Sequence, residues 1–374
     1  MTGSAPCEFN KREGTECSTC RRFSPWRDRI LIIKLDAMGD VVRTGFLTAH
    51  IRQRFEDPFI VWITRSESLT LVGANPDVDQ VWDYDITTTN RLLAGESWRA
   101  IYNLSNDYPS SALCSLARLD ERPGSERIGF FLDSRGLIQP TNVHAARWME
   151  MAVFDRVKRE NRLSFQEIML QIAGFRGDIL LPKIQLSELI RQNVPRARDF
   201  FPGNGPSHLI GINTGSGSRW PQKMLSTSRL CELTNLLLKE FPSAGVVILG
   251  GPQEAERNQR LQAALSDVRV VNPGCTFSPL EFAALIEQCD VLVCGDTFAL
   301  HLASALRVRS VALFGPTSAA EIYDYDGLIL KLVSPLPCQS CYGQCSRSPD
   351  CMETIALPLI VQGVKRQLSQ KPRC

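Results

Sequence analysis

The sequence predicts an α/β protein built from two parallel, doubly wound sheets. Three observations predict it. Short apolar runs alternate with stretches of helical spacing, the pattern of strands joined by crossover helices. The alternation stops in a polar, Gly/Pro-rich stretch, RARDFFPGNGPSH (196–208), and then restarts. The chain has 374 residues, enough for two domains of roughly 100–200 residues.

Residues 1–28 are polar and cysteine-containing and read as an irregular extension. RILIIKL (29–35) is a strand of the fully buried type, DAMGD (36–40) a loop, and VVRTGFLTAHIRQRF (41–55) a helix. FIVWIT (59–64), QVWDYD (80–85), AIYNLS (100–105) and ERIGFF (126–131) are further strands, and residues 144–175 are helical in one or two pieces. Past the break, strands at 209–214, 245–251 and 268–271 alternate with helices near 226–240, 253–265 and 278–288. The last unit is VLVCGDTFALHLASALRVRSVALFGPT (291–317): a strand, a Gly-Asp-Thr break, a helix, and a strand ending in Gly-Pro-Thr. The expected organisation is therefore an extension (1–28), two Rossmann-like halves (29–195 and 196–337), and a cysteine-rich segment with a C-terminal helix (338–374).

The balance of 42 basic and 40 acidic residues gives a net charge of +2 and no global argument for nucleic-acid binding. The first residues, MTGSAPCEFNKREG, lack the apolar core of a signal peptide, and no run approaches the roughly 18 apolar residues of a membrane span. A cytoplasmic protein with at most peripheral membrane contact is expected. Arg147, Arg156, Lys158, Arg159 and Arg162 (147–162) would suit an anionic acceptor or a membrane surface; a solvated basic helix face explains them as well.

A strand that enters a helix through a tight Gly turn leaves the first helical N–H groups unpaired, and the helix dipole adds positive potential there. With Asp296 or Thr297 as the cap, the donors of Phe298, Ala299 and Leu300 point out of the helix end toward a phosphate. An ordinary capped helix is the plainer reading, and His301 alone reads as a half-buried helix residue. Three more small-residue loops shift the weight: NTGSGSRWPQK (213–223), with Thr214, Gly215 and Lys223; LGGPQEAE (249–256), with Gly251; and FGPT (314–317). Four such loops at the strand ends of one half point to a nucleotide or sugar-nucleotide site.

The segments IKLDAMGDVVRT, ANPDVDQVWDYD (74–85), GINTGSGSRWPQK (211–223), VVILGGPQE (246–254) and GDTFALHLASALRVRSVALFGPT (295–317) resemble, in order, those of glycosyltransferase family 9, the heptosyltransferase family. The resemblance implies a GT-B fold, two Rossmann-like domains facing across a cleft, here with Cys-rich extensions. It implies inverting transfer of a sugar, heptose from ADP-heptose in typical members, to a hydroxyl acceptor such as lipopolysaccharide core, with no catalytic metal. It makes Asp40 the general base and Lys223, Asp296, Thr297, Phe298, Ala299 and His301 the donor site. Asp36 and Asp107 are reserves for the base, each also explained as a turn residue; Asp40 is also explained as an N-cap. Phe298, Phe46 and Leu225-Ser226 depart from the family's usual Gly, Pro and Trp-Pro. A non-catalytic sugar-nucleotide-binding protein and a GT-B epimerase are the alternatives.

The chain has 13 cysteines. Cys338, Cys341, Cys345 and Cys351 form C-x2-C-x3-C-x5-C, a spacing that fits structural Zn, Fe or an iron–sulfur cluster in a reducing compartment. Cys7, Cys17 and Cys20 make a set one ligand short of four. Free thiols or adventitious disulfides are the alternatives for both clusters. Cys114, Cys231, Cys275, Cys289 and Cys294 read as small apolar core residues.

Overall fold

The computed structural model describes residues 7–16, 18–20, 28–201, 205–217, 221–338, 340–342, 345 and 347–370. The first sheet contains β1 (Arg29–Ile33), β2 (Phe59–Thr64), β3 (Gln80–Asp83), β4 (Ala100–Asn103), β5 (Glu126–Leu132) and β6 (Ile138–Pro140), in the order β3-β2-β1-β4-β5-β6. All its pairings are parallel except β5 with β6. The second sheet contains β7 (His208–Asn213), β8 (Ala244–Leu249), β9 (Val270–Val271), β10 (Val291–Gly295), β11 (Arg309–Phe314) and β12 (Ile329–Val333), all parallel, in the order β9-β8-β7-β10-β11-β12. Each sheet thus has the doubly wound order 3-2-1-4-5-6, in which ligands lie beyond the carboxyl ends of the central strands.

The apolar runs become strands because helices cover both faces of each sheet. In β1, Ile30 and Ile32 enter one apolar cluster while Leu31 and Ile33 enter another, all fully buried. In β8, Val247 and Leu249 face one cluster and Val246 and Ile248 the other. That is the two-residue period of a strand buried on both sides.

Several local outcomes differ from the sequence reading. Helix 41–55 is two helices, Met38–Thr44 and Leu47–Arg54, broken at Gly45-Phe46. Residues 144–175 form three, Val143–Val153, Asp155–Glu160 and Phe165–Ala173, the last opened by a Ser164–Glu167 capping box and closed by left-handed Gly174. Strands β6 and β12 were not expected; each is a short run at a sheet edge. The C-terminal helix Leu357–Ser369 is no appendage: Ile360 and Val364 are fully buried in the apolar cluster that contains Val311. Leu186 and Val194 pack into the other cluster of the second sheet, which also takes in Val42 and Leu71 from the first half. No described helix is long and apolar enough to cross a membrane.

One glycine is required by the first sheet. Gly129 in β5 has φ +98°, and a Cβ there would stand 1.8 Å from the Asn103 carbonyl oxygen. Gly129→Ala should therefore cost more than about 3 kcal/mol, since neither backbone can give way. A melting temperature within about 3 °C of wild type would contradict this.

Candidate active site

The carboxyl ends of the two sheets face each other around a cavity of about 840 Å³. The helices that follow β1 and β10, Met38–Thr44 and Phe298–Ala305, approach closely with their N-terminal turns. Gly39 makes this possible: a Cβ there would lie 2.8 Å from the His301 ring and 3.6 Å from the Phe298 Cα. The contact sets side chains from both sheets around one space.

Asp40 lines the cavity from the first half. It is not an N-cap. The helix begins at Met38 with Ala37 as cap residue, so Asp40 sits in the first turn with its carboxylate 2.5 Å from Arg43 Nη2. The Arg43 guanidinium lies 3.8 Å from the centre of the Phe165 ring, a cation–π contact that fixes its plane. Burial pushes the Asp40 carboxyl up, but Arg43 and Lys34 outweigh burial and hold it below its usual range. Lys34 is itself buried, with Nζ 2.6 Å from the Leu104 carbonyl oxygen and 2.9 Å from Asp36.

The second half presents a matching pair. Lys223 Nζ is 3.0 Å from Asp296 Oδ2 and donates to the Asp296 carbonyl at 3.2 Å. Burial raises the Asp296 carboxyl, yet Lys223 and Arg43 bring it down to about 2. Thr297 is the cap residue of the Phe298–Ala305 helix by backbone, φ −139° and ψ 169°, but its side chain makes no capping bond. Phe298 and Ala299 line the cavity at the open helix end. Leu300 does not present a donor there, because its N–H is engaged by the Thr297 carbonyl at 3.1 Å. The Phe298 ring stacks on Phe282, centroids 6.3 Å apart, so the bulkier residue builds an apolar wall and leaves the helix end open. His301 is buried between the two acidic residues; burial and Arg43 push its pKa down to about 4, so it is neutral at pH 7.

The remaining candidates divide. Gly215 and Gly251 line the cavity on the loops after β7 and β8, packed against Glu254; a Cβ at Gly215 would fall 2.1 Å from the Glu254 carboxyl carbon. Thr214 does not line it: its buried hydroxyl donates to Asn258 Oδ1 at 2.5 Å and lies 3.2 Å from the Leu249 carbonyl oxygen. Asp36 is engaged by Lys34 and Ser105, and Asp107 caps the Tyr108–Leu116 helix by accepting from the Ser110 N–H at 2.8 Å. Arg147, Arg156, Arg159 and Arg162 are exposed, the first two paired with Glu150 and Glu160; only Lys158 turns into the cavity.

Lining residues that escaped the sequence reading include Arg43, Glu254, Glu321 and Tyr342. Arg43 had a signal, its i,i+3 spacing from Asp40, and Glu254 had its place in a Gly-rich helix entry. Glu321 and Tyr342 reach the site only through tertiary packing.

The cysteine clusters do not appear as ligand spheres. Among the described residues no three His, Cys, Asp or Glu side chains gather around one point. Cys338 is exposed, Cys341 and Cys345 are half-buried, and Cys351 is buried against Gly315. Burial, Asp350 and the nearby Cys341 and Cys345 push the Cys351 thiol up to about 11. Cys7 is exposed and Cys20 half-buried; Cys17 lies outside the described residues. Cys114, Cys275, Cys289 and Cys294 are buried and Cys231 partly so.

Residues 89–350 match the model of Glycosyltransferase family 9 (heptosyltransferase). The chain belongs to that family. The transferase is 24% identical over 311 residues to lipopolysaccharide heptosyltransferase 1 of Campylobacter coli, covering 77% of this chain and 84% of the relative. Its fold is shared with the solved ADP-heptose lipopolysaccharide heptosyltransferase II of Escherichia coli, at TM-score 0.64 and 19% identity over 91% of this chain and 98% of that one. It is shared also with E. coli heptosyltransferase WaaC, solved with ADP-2-deoxy-2-fluoro heptose, at TM-score 0.60 and 16% identity over 90% and 99%. The α/β architecture with parallel sheets is that of these transferases.

The protonation of His301 gives the transferase an acid-sensitive site. Its folded pKa of about 4 lies below its ordinary 6.5, so between these values the unfolded chain binds a proton that the folded chain does not. Stability must then fall as pH drops through that window, by on the order of 2–3 kcal/mol from this group. His301→Gln should flatten the decline of melting temperature between about pH 6.5 and 4. An unchanged slope would show that His301 is not the titrating group.

Proposed function

We propose that the enzyme transfers heptose from ADP-heptose, with inversion, to a hydroxyl of lipopolysaccharide core or another glycan. The observation that carries this is the cavity itself. It sets an ionised, half-buried carboxylate from one sheet opposite a helix end and a lysine from the other. Inverting transfer asks for those two things: a base for the acceptor hydroxyl and a stabilised diphosphate leaving group. The support for ADP-heptose is family membership and likeness to heptosyltransferases whose names or bound ligands specify it.

In this reading the first half (29–195) is the acceptor-side domain and supplies Asp40. Arg43 keeps the carboxylate charged and oriented. The second half (196–337) is the donor domain. The loops after β7 and β8, with Gly215, Gly251 and the acceptor oxygens of Glu254, take the nucleoside. The Phe298–Ala299 helix end and Lys223 take the diphosphate, releasing Lys223 from Asp296 to do so. Asp296 and the neutral His301 hold this end in place. The helix end and the lysine neutralise the departing charge, so no catalytic metal is required. A nucleotide-sugar donor places the reaction in the cytoplasm.

The decisive assay is transfer from ADP-heptose to heptose-deficient lipopolysaccharide core in EDTA. Activity should persist without added Mg²⁺ or Mn²⁺. Asp40→Asn should bind ADP normally and lose roughly two to four decades of turnover, the usual worth of a positioned base. A fully active Asp40→Asn enzyme would remove Asp40 from the base role. Failure of the wild type to bind ADP at millimolar concentration would reject the donor reading.

The C-terminal cysteines we assign to a structural metal, Zn or Fe, with no part in transfer. Their spacing supports it, as does the proximity of Cys341 and Cys345 to Cys351. A metal would have to draw Cys338 inward. Elemental analysis should find about one ion per chain, lost in a Cys341→Ser/Cys345→Ser variant. Wild-type protein purified free of metal would overturn the assignment.

A further inference from the structure

The strand order of the second sheet spreads its loops across the cavity in sequence: β8, β7, β10, β11. The first three carry the donor elements described above. The β11 loop, Thr317 to Ile322, occupies the far end; its start, FGPT, is one of the four small-residue loops of the sequence, but the donor site proposed above places no group on it. That end has its own chemistry, and it is closed by a residue from the cysteine-rich segment.

Tyr342 follows Cys341 and lines the cavity. Two backbone bonds tie this stretch to the β11 loop: Ser340 N–H to the Gly315 carbonyl at 3.1 Å and Tyr342 N–H to the Pro316 carbonyl at 3.0 Å. The Tyr342 hydroxyl accepts from the Ser318 N–H at 3.2 Å and donates to Glu321 at 2.6 Å. From the opposite half, Lys158 sets its ammonium 3.8 Å from the centre of the Tyr342 ring. Lys158 and Tyr342 thus meet at the cavity, one from the first half and one from the cysteine-rich segment tied to the β11 loop. The buried Thr317 hydroxyl beside them has no hydrogen-bond partner among the described residues.

We infer that the β11 end, where Lys158 of the acceptor-side half faces the second half, is the acceptor subsite, that it takes the hydroxyl-bearing ring of a carbohydrate, and that Tyr342 is a specificity-determining residue of its wall. The inference rests on the transferase reading above and extends it. Three features argue for a carbohydrate. The end is lined by hydrogen-bonding groups of both kinds: the Glu321 carboxylate accepts and the Lys158 ammonium donates. A sugar ring presents several hydroxyls together and can satisfy them at once, which a single serine or threonine side chain cannot. Finally, Glu321 lies near enough to Arg43 to act on its charge, so the subsite adjoins the Asp40–Arg43 pair. An acceptor held here has a hydroxyl within the base's neighbourhood.

The cysteine-rich segment then has a role beyond bracing the fold. It delivers one wall of the acceptor end, while the donor end is built without it.

The test separates the two ends. Binding of ADP, and of heptose-deficient lipopolysaccharide core oligosaccharide in the presence of ADP, is measured by calorimetry for the wild type, Tyr342→Phe, Tyr342→Ala and Lys158→Gln. ADP affinity should stay within about twofold in all four proteins. Oligosaccharide affinity should fall at least about tenfold in Tyr342→Ala and in Lys158→Gln, with a smaller loss in Tyr342→Phe, on the scale of one to two lost polar contacts. In transfer assays the acceptor KM should rise while kcat at saturation is largely kept. Lys158→Gln leaves the cysteine segment untouched, so it reports on the subsite even where Tyr342→Ala perturbs that segment. Oligosaccharide affinity unchanged in Lys158→Gln and Tyr342→Ala would overturn the inference. So would a wild type that binds ADP and a serine/threonine peptide but not the oligosaccharide. A wild type that does not bind ADP at all would instead reject the donor reading on which this one stands.

Discussion

The structure turns on one close approach. The helices after β1 and β10 meet at their N-terminal turns, and the meeting depends on a residue without a side chain, Gly39, lying against the His301 ring. The four charged groups at its centre are placed by it. Asp40 and Arg43 come from one helix, Asp296 precedes the other, and Lys223 is held by Asp296. A side chain at position 39 would have to part the two halves, and the carboxylate of one would no longer face the helix end of the other.

Bringing four charges into a partly dry space is costly unless they are paired. Here they form two pairs, one from each half, with a neutral histidine between them. The pairing explains why both carboxylates stay ionised despite partial burial: each has a cation within 3.0 Å, and the attraction outweighs desolvation. It also leaves the cavity near electrical balance until a ligand arrives. An anionic ligand can then compete for Lys223 while Arg43 continues to hold Asp40.

The sheets supply the second organising constraint. A parallel sheet in the order 3-2-1-4-5-6 places its central loops side by side at one edge. In the second half this arranges glycine loops, a helix end and the β11 loop in a row. The cysteine-rich segment is tied to the last of these by backbone bonds to Gly315 and Pro316, so its fold and the shape of the cavity are linked. Cys351 packs against Gly315 from the other side, where the absent Cβ makes room for its sulfur. The segment that looked like a metal-braced tail is part of the wall of the site.

The sequence by itself determined the two doubly wound sheets, because each strand carries its own apolar run and each crossover its own helical spacing. It pointed to Lys223, Asp296, Phe298 and Ala299, because a strand, a small-residue turn and a helix start are consecutive in the chain. It brought Asp40 forward through a motif, though not the geometry that decides its state: the first-turn position and the Arg43 pair replaced the expected cap. Thr214 shows the limit of loop reading, since a residue of suitable type at a strand end turned inward to Asn258. Lys158 was one of five basic residues the sequence offered without a way to choose among them, and Glu321 and Tyr342 were beyond reach. They lie far apart in the chain, and no local pattern encodes a meeting made by the packing of two sheets and a terminal segment. Local order follows from neighbours in sequence, whereas a cavity wall follows from which surfaces are buried against each other, and only the tertiary structure decided that.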